Sequence, residues 1–491
     1  MIEKEISSKV KSSLIWKFAE RICAQGVSFI ISIILARILM PEDYGTVSMV
    51  LIFITLANVF ITSGLNTALI QKKEASETDF STMFYCNFIL SVILYIILYI
   101  SAPYIADFYN NIELITILRV LALKLPISSI NSIQHAYVSR NLIFKKFFFS
   151  TLIGTIISGV IGIEMAYKGF GVWALVAQTL TAPIVNTFIL LFIIPWKPKL
   201  HFSLKSVKEL IGFSSKLTLA SLISTGYSEL RSLIIGKVYT SEDLAYYKKG
   251  NSFPDLIINN VDSTIGSVLF PAMSRYNEDK EKVKELTRKS MRTSSYIIFP
   301  ILVGLFVVAK PLIKMLLTDK WILAVPFMQI NCLSQMSMPI STANNQAIKA
   351  LGRSDVLLKM ETLKKTIGII IILSVMNISV MAIALSGILY AFIATIVNIY
   401  PNKKLMNYGF KEQIADILPF FMMSLVMGLV TYSILFLNLS GISTIVLQVL
   451  IGIVIYFGLS YLFKIEEFNL LKNSILNFRR RNDKGDCQEN N

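Results

Sequence analysis

Long apolar runs recur along nearly the whole of this 491-residue chain. Each is long enough to cross the hydrocarbon core of a bilayer, which is about 30 Å thick. Because 54% of the residues are hydrophobic and only 16% are charged, a water-soluble core could not bury so much apolar surface. In lipid, a helix satisfies its own backbone hydrogen bonds. The sequence therefore predicts an all-α integral membrane protein.

Turn residues and charges divide these runs into about fourteen predicted transmembrane segments, which we number as spans 1 to 14. The predicted limits are 14–38, 45–64, 80–101, 114–137, 147–167, 171–194, 207–238, 244–270, 290–309, 322–348, 356–376, 379–400, 413–436 and 442–463. Span 1 lacks a small-residue cleavage site near its end, so we expect it to serve as an uncleaved targeting signal.

The sequence also contains an internal duplication. The phrase LPISSIN at 125–131 is echoed by MPISTAN at 338–344, and the segment 36–45 matches 236–245 in register. In a membrane protein, two like-oriented copies predict two helix bundles that face each other across a cleft. Transporters built in this way bind their substrate in that cleft.

The formal net charge of +16 reflects membrane topology rather than a nucleic-acid partner. Most lysines and arginines fall in alternate short loops, and cytoplasmic loops carry the excess of these residues. We therefore predict that both termini are cytoplasmic and that the number of spans is even. The chain after Phe463 is predicted to be a basic cytoplasmic tail.

Residues for catalysis or metal binding do not form a recognisable pattern. His135 and His201 are far apart, and no phosphate-binding loop or hydrolase motif is present. The cysteines are too widely separated to indicate a disulfide or a metal site. They are Cys23, Cys86, Cys332 and Cys487. We predict a protein that is not an enzyme and has no cofactor apart from a possible coupling ion, H⁺ or Na⁺.

Polar side chains recur at steps of three or four inside several spans, so that they share one face of a helix. An unpaired polar group in hydrocarbon costs several kcal/mol, and such faces therefore line a wet cavity or a helix seam. Serine, threonine and asparagine have the alternative role of bonding neighbouring helices. The predicted substrate contacts are Lys17, Arg21, Gln25, Asn58, Arg119, Lys124, Asn131, Ser221, Thr225, Arg231, Asn259 and Asn344.

Charged side chains inside spans favour an aqueous pathway or a partner, because insertion at mid-span costs roughly 2.5 to 3.5 kcal/mol. Glu229, Asp255 and Asp262 are candidate sites for a coupling proton or sodium ion, with structural ion pairing as the alternative. Several lysines are instead predicted to snorkel to the membrane interface. They are Lys216, Lys248, Lys249, Lys364 and Lys365.

Three runs carry a family resemblance, namely LARILMPEDYG at 35–45, GFGVWALVAQ at 169–178 and FPAMSR at 270–275. They resemble polysaccharide exporters of the multidrug/oligosaccharidyl-lipid/polysaccharide flippase superfamily. The nearest branch resembles the Wzx-type, colanic-acid-exporter-like flippases. The likeness extends to about residue 400 and is diffuse beyond it. These motifs are typical of the family and say little about the substrate.

The resemblance implies two six-helix lobes related by a pseudo-two-fold repeat, followed by two further helices, with a central cavity that opens alternately to either membrane face. We accordingly assign 1–200 to an N-terminal lobe, 201–405 to a C-terminal lobe, 406–466 to spans 13 and 14, and 467–491 to the tail. Spans 13 and 14 are mostly apolar and are predicted to border a groove for a lipid tail.

The implied cargo is an undecaprenyl-pyrophosphate-linked oligosaccharide, flipped across the cytoplasmic membrane for assembly of O-antigen, capsule or exopolysaccharide. Implied partners are membrane lipids, a polysaccharide polymerase and glycosyltransferases. The cations Arg21, Arg119, Lys124 and Arg231 are predicted to replace part of the hydration of the pyrophosphate. Three alternatives stay open at this point: a cation-coupled multidrug exporter, a flippase for the peptidoglycan precursor lipid II, and a scaffold without transport activity.

Overall fold

A computed structural model describes residues 2–63, 69, 75–437 and 440–469. Regular structure within these ranges is helical throughout, which confirms the predicted fold class. Most of the predicted tail, 470–491, lies outside the described residues.

We number the longer helices of the described ranges α1 to α16 in chain order. The first eight are α1 (Ile2–Ile38), α2 (Pro41–Thr62), α3 (Glu77–Tyr109), α4 (Leu114–Leu121), α5 (Lys124–Asn141), α6 (Phe144–Tyr167), α7 (Val172–Ile193) and α8 (Leu204–Val238). The others are α9 (Ser241–Ser274), α10 (Lys280–Leu317), α11 (Val325–Gln335), α12 (Met338–Ala350), α13 (Ser354–Val375), α14 (Val380–Met406), α15 (Phe410–Ser433) and α16 (Gly441–Leu462). Two 3₁₀ turns, Asp319–Ala324 and Ile434–Leu437, precede α11 and follow α15.

Each predicted span coincides with one helix or, for spans 4 and 10, with a pair of helices separated by a short break. Ten helical stretches among the described residues are long and apolar enough to cross a membrane. Spans 7, 8, 10 and 11 are not among these ten. That these four also cross the membrane stays a prediction.

The chain divides into two compact units, Met1–Ala245 and Tyr246–Asn491. In the first unit, α6 packs along α1 and α7, while α2 packs against α5 and α8. In the second unit, α10 is the central helix and packs against α11, α12, α15 and α16. The functional lobe boundaries at 200 and 405 stay predictions.

Both copies of the other repeated segment, 36–45 and 236–245, contain the start of a helix. At α2, the Met40 N–H donates to Asp43 Oδ2 (3.0 Å), and at α9 the Thr240 N–H donates to Asp243 Oδ2 (3.3 Å). A carboxylate in the first turn satisfies a free N–H and suits the positive end of the helix dipole. Gly45 then permits the two starts to touch, because a Cβ atom there would lie 1.8 Å from the Ser241 carbonyl oxygen.

A helix is interrupted just before each copy of the repeated phrase, LPISSIN at 125–131 and MPISTAN at 338–344. One break lies between Leu121 and Lys124, and the other lies between Gln335 and Met338. Each is followed by a proline, Pro126 or Pro339, which has no N–H to donate to the carbonyl four residues earlier. The repeated phrase therefore specifies a repeated backbone discontinuity.

Candidate functional site

Two predicted cationic contacts of the first repeat, Lys17 and Arg119, lie against aromatic rings. The Arg119 guanidinium carbon lies 4.3 Å from the centre of the Tyr99 ring, and its Nε donates to the Tyr99 carbonyl (3.4 Å). The Lys17 ammonium lies 5.5 Å from the centre of the Phe144 ring. A ring attracts a cation without neutralising it, so Lys17 and Arg119 keep their positive charge for an anion.

The remaining cations of the predicted site are half-buried. Arg21 lies on α1, Lys124 is the first residue of α5 after the break, and Arg231 lies near the end of α8 beside the half-buried Glu229. These positions combine partial desolvation with some access to solvent. They suit groups that bind a charged ligand rather than groups that only pack.

Among the neutral candidates, two asparagines have unsatisfied atoms. Asn58 Oδ1 on α2 and Asn131 Nδ2 on α5 are buried and have no hydrogen-bond partner within the described residues. Their helices pack against each other, and α8, which carries half-buried Ser221 and Thr225, packs against α2 as well. Because an unsatisfied buried polar atom costs about 1 to 3 kcal/mol, these amides are the best-placed hydrogen-bonding groups for a ligand.

Gln25 is half-buried on α1, and Asn259 is exposed on α9. That the polar faces of both repeats converge on one shared chamber stays a prediction.

Asn344 lies in the protein core and not on an open face. Its side chain has no exposed surface, and its Nδ2 donates to Gln413 Oε1 (2.8 Å) while Gln413 Nε2 donates back to Asn344 Oδ1 (3.1 Å). Asn402 also donates to Asn344 Oδ1. This amide network, formed by Asn344, Asn402 and Gln413, ties α12 to α14 and α15. Asn344 thus has the helix-bonding role that was the alternative for such stripes.

Lys364 does not snorkel to the interface as the sequence suggested. Its residue exposure is 5%, and its ammonium donates to Asn398 Oδ1 (2.9 Å) and to the carboxylate of Glu361. Asn398 Nδ2 donates in turn to Ser341 Oγ (2.9 Å), so the lysine braces α13 against α14 and α12. A buried charge with these partners avoids the cost that would otherwise force it toward water.

A charge cluster of Arg288, Arg292, Asp416 and Glu467 joins α10, α15 and the chain after α16. Arg288 Nη2 lies 2.6 Å from Asp416 Oδ1, and Arg292 Nε lies 2.6 Å from Glu467 Oε1. Tyr408 OH donates to Asp416 Oδ2 (2.7 Å). Burial, followed by the hydrogen bond to Asp416, raises the pKa of Tyr408, so its OH stays protonated and donates to the carboxylate.

An apolar groove of about 560 Å³ lies between α10, α15 and α16, and we call it the C-terminal groove. Its walls include Pro300, Gly304 and Val308 of α10, Met427 of α15, and Gly452 and Ile453 of α16. Spans 13 and 14 thus border a groove, as the sequence predicted, and span 9 supplies its third wall.

Two tyrosines line the C-terminal groove, and one of them, Tyr296, lies one helical turn after Arg292 of the charge cluster. The rings of Tyr296 and Tyr456 lie 5.2 Å apart, Tyr456 OH donates to the Tyr296 carbonyl (2.8 Å), and Tyr296 OH donates to Ser460 Oγ (3.0 Å). Glycine keeps the middle of the groove open, because a Cβ on Gly304 would meet nothing within 4 Å.

Comparison with known proteins identifies the family. A family described as "Polysaccharide biosynthesis protein" matches residues 34–326, which is more than half of the chain. This chain belongs to that family. It is 25% identical to the succinoglycan biosynthesis transport protein ExoT of Rhizobium meliloti (strain 1021), over 70% of this chain and 69% of the relative. It is 23% identical to the lipopolysaccharide biosynthesis protein WzxC of Escherichia coli (strain K12), over 85% of this chain and 86% of the relative.

The fold is that of a solved flippase. A structure of the lipid II flippase MurJ in an inward closed conformation superposes with a TM-score of 0.72, covers 92% of this chain and 98% of the flippase, and shares 17% sequence identity. At that identity the likeness concerns the fold alone. Together with the family match, it confirms the resemblance to polysaccharide flippases and the assignment to a multi-pass membrane protein.

Sequence reasoning missed the charge cluster and the partners of the acidic side chains on α9. Arg288 lies before predicted span 9, which begins at 290, whereas the structure places it inside α10, which begins at Lys280. The signal was available in the sequence, since Lys284, Arg288 and Arg292 follow each other at steps of four and continue the face of Tyr296 and Pro300.

We predict that Asp416→Asn lowers the free energy of unfolding by about 1 to 3 kcal/mol, because Arg288 and also Arg292, whose Nη1 lies 3.6 Å from Asp416 Oδ1, lose a buried counter-ion. Thermal unfolding of the detergent-purified protein measures this effect. Asp355→Asn is the matched control, since Asp355 forms an exposed ion pair with Arg353 (2.9 Å) and its loss should leave stability unchanged. Equal effects of the two substitutions would contradict a structural role for the charge cluster.

Proposed function

We propose that this chain flips an undecaprenyl-pyrophosphate-linked oligosaccharide across the cytoplasmic membrane by alternating access, for assembly of a surface polysaccharide. The C-terminal groove carries this proposal, because it offers an apolar cargo a place inside a protein of a polysaccharide biosynthesis family. The names of the relatives, which refer to succinoglycan transport and lipopolysaccharide biosynthesis, support the same class of cargo.

The dimensions of the C-terminal groove suit part of a long isoprenoid chain. Its α10 wall runs from Tyr296 to Val308, which is about 18 Å of helix, or more than half of the roughly 30 Å hydrocarbon core. An apolar tail held there stays out of water while its polar head crosses the protein. A multidrug exporter carries compact cargo and has no tail to shelter, so the groove favours a lipid-linked substrate.

The head of the cargo requires cations and hydrogen-bond donors. Arg119 and Lys17 lie against aromatic rings, with Arg21 and Lys124 half-buried nearby in sequence, and each can form a charge-assisted hydrogen bond to a phosphate oxygen. Asn58 and Asn131 have unsatisfied amide atoms that suit sugar hydroxyls. Binding and release of the head need no covalent step.

Rocking of the two repeats would expose the same polar faces first to the cytoplasm, where the repeat unit is made, and then to the outside. We place both termini in the cytoplasm because of the distribution of lysine and arginine. A polysaccharide polymerase on the outer face would consume the flipped product, and glycosyltransferases on the inner face would supply the substrate.

We predict that Arg21→Ala combined with Arg231→Ala abolishes surface polymer while the protein is still made and inserted. The physical reason is that two half-buried charges, which would replace hydration of the pyrophosphate, are lost together. Polymer on the cell surface and protein in the membrane fraction are the two measurements, and Arg353→Ala, which removes an exposed cation, is the control.

Unaltered polymer in that double variant would exclude both residues from the site. Deletion of the whole chain separates the cargo classes, because loss of a polysaccharide flippase strips the surface polymer whereas loss of a lipid II flippase stops growth.

We predict that Gly304→Leu slows flipping of a fluorescent polyprenyl-linked sugar in liposomes by about tenfold. A leucine side chain fills the C-terminal groove without meeting protein atoms at its Cβ, so the protein should fold while the tail loses its place. Gly458→Leu is the matched control, because Gly458 is an exposed glycine of α16 that also has nothing within 4 Å of its Cβ. Full activity of Gly304→Leu would show that the tail travels elsewhere, and flipping at the spontaneous rate by the parent protein would favour the scaffold alternative.

A further inference from the structure

The two helix breaks have the same backbone interruption but different side chains around it. Within the second unit, α11 ends at Gln335, and Pro339 cannot donate a backbone hydrogen bond to the Gln335 carbonyl. The C-terminal end of a helix carries partial negative charge, and interrupted membrane helices coordinate cations with such freed carbonyls. The break between α11 and α12 is therefore favourable ground for a positive ion.

A carboxylate lies at this break. Asp255 of α9 is half-buried, and its Oδ1 accepts hydrogen bonds from Asn331 Nδ2 (2.9 Å) and Gln335 Nε2 (3.0 Å), both in the last turns of α11. Neither partner is charged, and none of the ion pairs found among the described residues includes Asp255. Other carboxylates of this unit differ from Asp255 in this respect, because they form ion pairs with Arg288, Arg292 and Lys364.

The first repeat provides an internal comparison. In register with Asp255, Asn331 and Gln335, the first repeat has Thr55, Leu118 and Ala122. Its helix break is present without the carboxylate or the carboxamides, so these groups are not needed to form the break. Their presence in the second copy alone indicates a role other than backbone architecture.

We propose that Asp255, Asn331 and Gln335 form a binding site for a monovalent metal cation such as Na⁺. The site offers oxygen ligands of the kind that hard cations take: the second carboxylate oxygen, two carboxamide oxygens and the freed carbonyl of Gln335. The two amide N–H groups both donate to Asp255 Oδ1, which leaves Oδ2 to the cation. Sodium supplies a positive charge that no ion pair among the described residues provides to Asp255.

This cluster joins α9 to the helix pair α11–α12. These helices contain the second copies of the two repeated segments, which include 241–245 at the start of α9 and 338–344 in α12. An ion that binds here changes the charge at a helix break within the membrane, where a net charge is costly. A role in driving transport rests on the proposed function, whereas ion binding itself does not.

The test is thermal unfolding of the purified full chain in detergent, in NaCl and in choline chloride at equal ionic strength. We expect sodium to raise the Tm of the parent protein in a saturable manner, because a ligand that binds the folded state stabilises it. Asp255→Asn and, separately, Gln335→Ala should raise the half-saturating sodium concentration by about tenfold or more. Glu164→Gln, which removes a carboxylate from an exposed ion pair with Lys168, should leave the sodium response unchanged.

An equal Tm in sodium and choline for the parent protein would overturn the site, as would a sodium response that Asp255→Asn retains and Asp262→Asn abolishes. A Tm that follows pH and ignores sodium would also overturn it, in favour of a proton. Asp255→Asn and Gln335→Ala are both tested, so that if one variant fails to fold, the other still tests the site. Flipping in liposomes that continues without a sodium gradient would remove the coupling role and leave both ion binding and the flippase function standing.

Discussion

A polar group inside a membrane must find its partner within the protein or in water, because hydrocarbon offers none. This constraint determines how the chain uses its many serines, asparagines and charges. Where a polar side chain meets another across a helix seam, it stabilises packing. Where it has no partner among the described residues, it is available to a ligand. Partner geometry, more than residue type, therefore separates structure from function in this protein.

The second unit satisfies most of its polar groups internally. The amide network around Asn344, the braced ammonium of Lys364 and the charge cluster at Asp416 connect α10 with α12 to α15 through hydrogen bonds and ion pairs. Among these contacts, the charge cluster joins two of the helices that border the C-terminal groove, α10 and α15. In the first unit, by contrast, Arg119 lies on an aromatic ring, and Asn58 and Asn131 carry unsatisfied atoms. The second unit is thus cross-linked by polar contacts between its helices, whereas the first unit has polar groups that remain unsatisfied among the described residues.

The sequence predicted the membrane class and the helices well, because apolar length acts locally along the chain. It treated spans 4 and 10 as single segments, and the break within each required coordinates. Pairing between distant helices was much harder to predict. The sequence around Asn344 does not indicate that Gln413 is its partner. Likewise, the sequence around Lys364 is that of a lysine that snorkels to the interface, and only the structure shows that Asn398 lies beside it. The groove followed from the apolar character of spans 13 and 14, but its third wall, α10, and its open glycine at 304 required coordinates.

The central claim is that the half-buried polar face of the first repeat is wet whereas the amide network is dry. Thiol accessibility tests it most directly: Arg21→Cys, Asn131→Cys and Asn344→Cys are made in a background without Cys23, Cys86, Cys332 and Cys487, and are treated in membrane vesicles with a membrane-impermeant maleimide. The account predicts that positions 21 and 131 react in native vesicles and that position 344 reacts only after denaturation. Unreactive thiols at 21 and 131, beside a reactive one at 344, would contradict it.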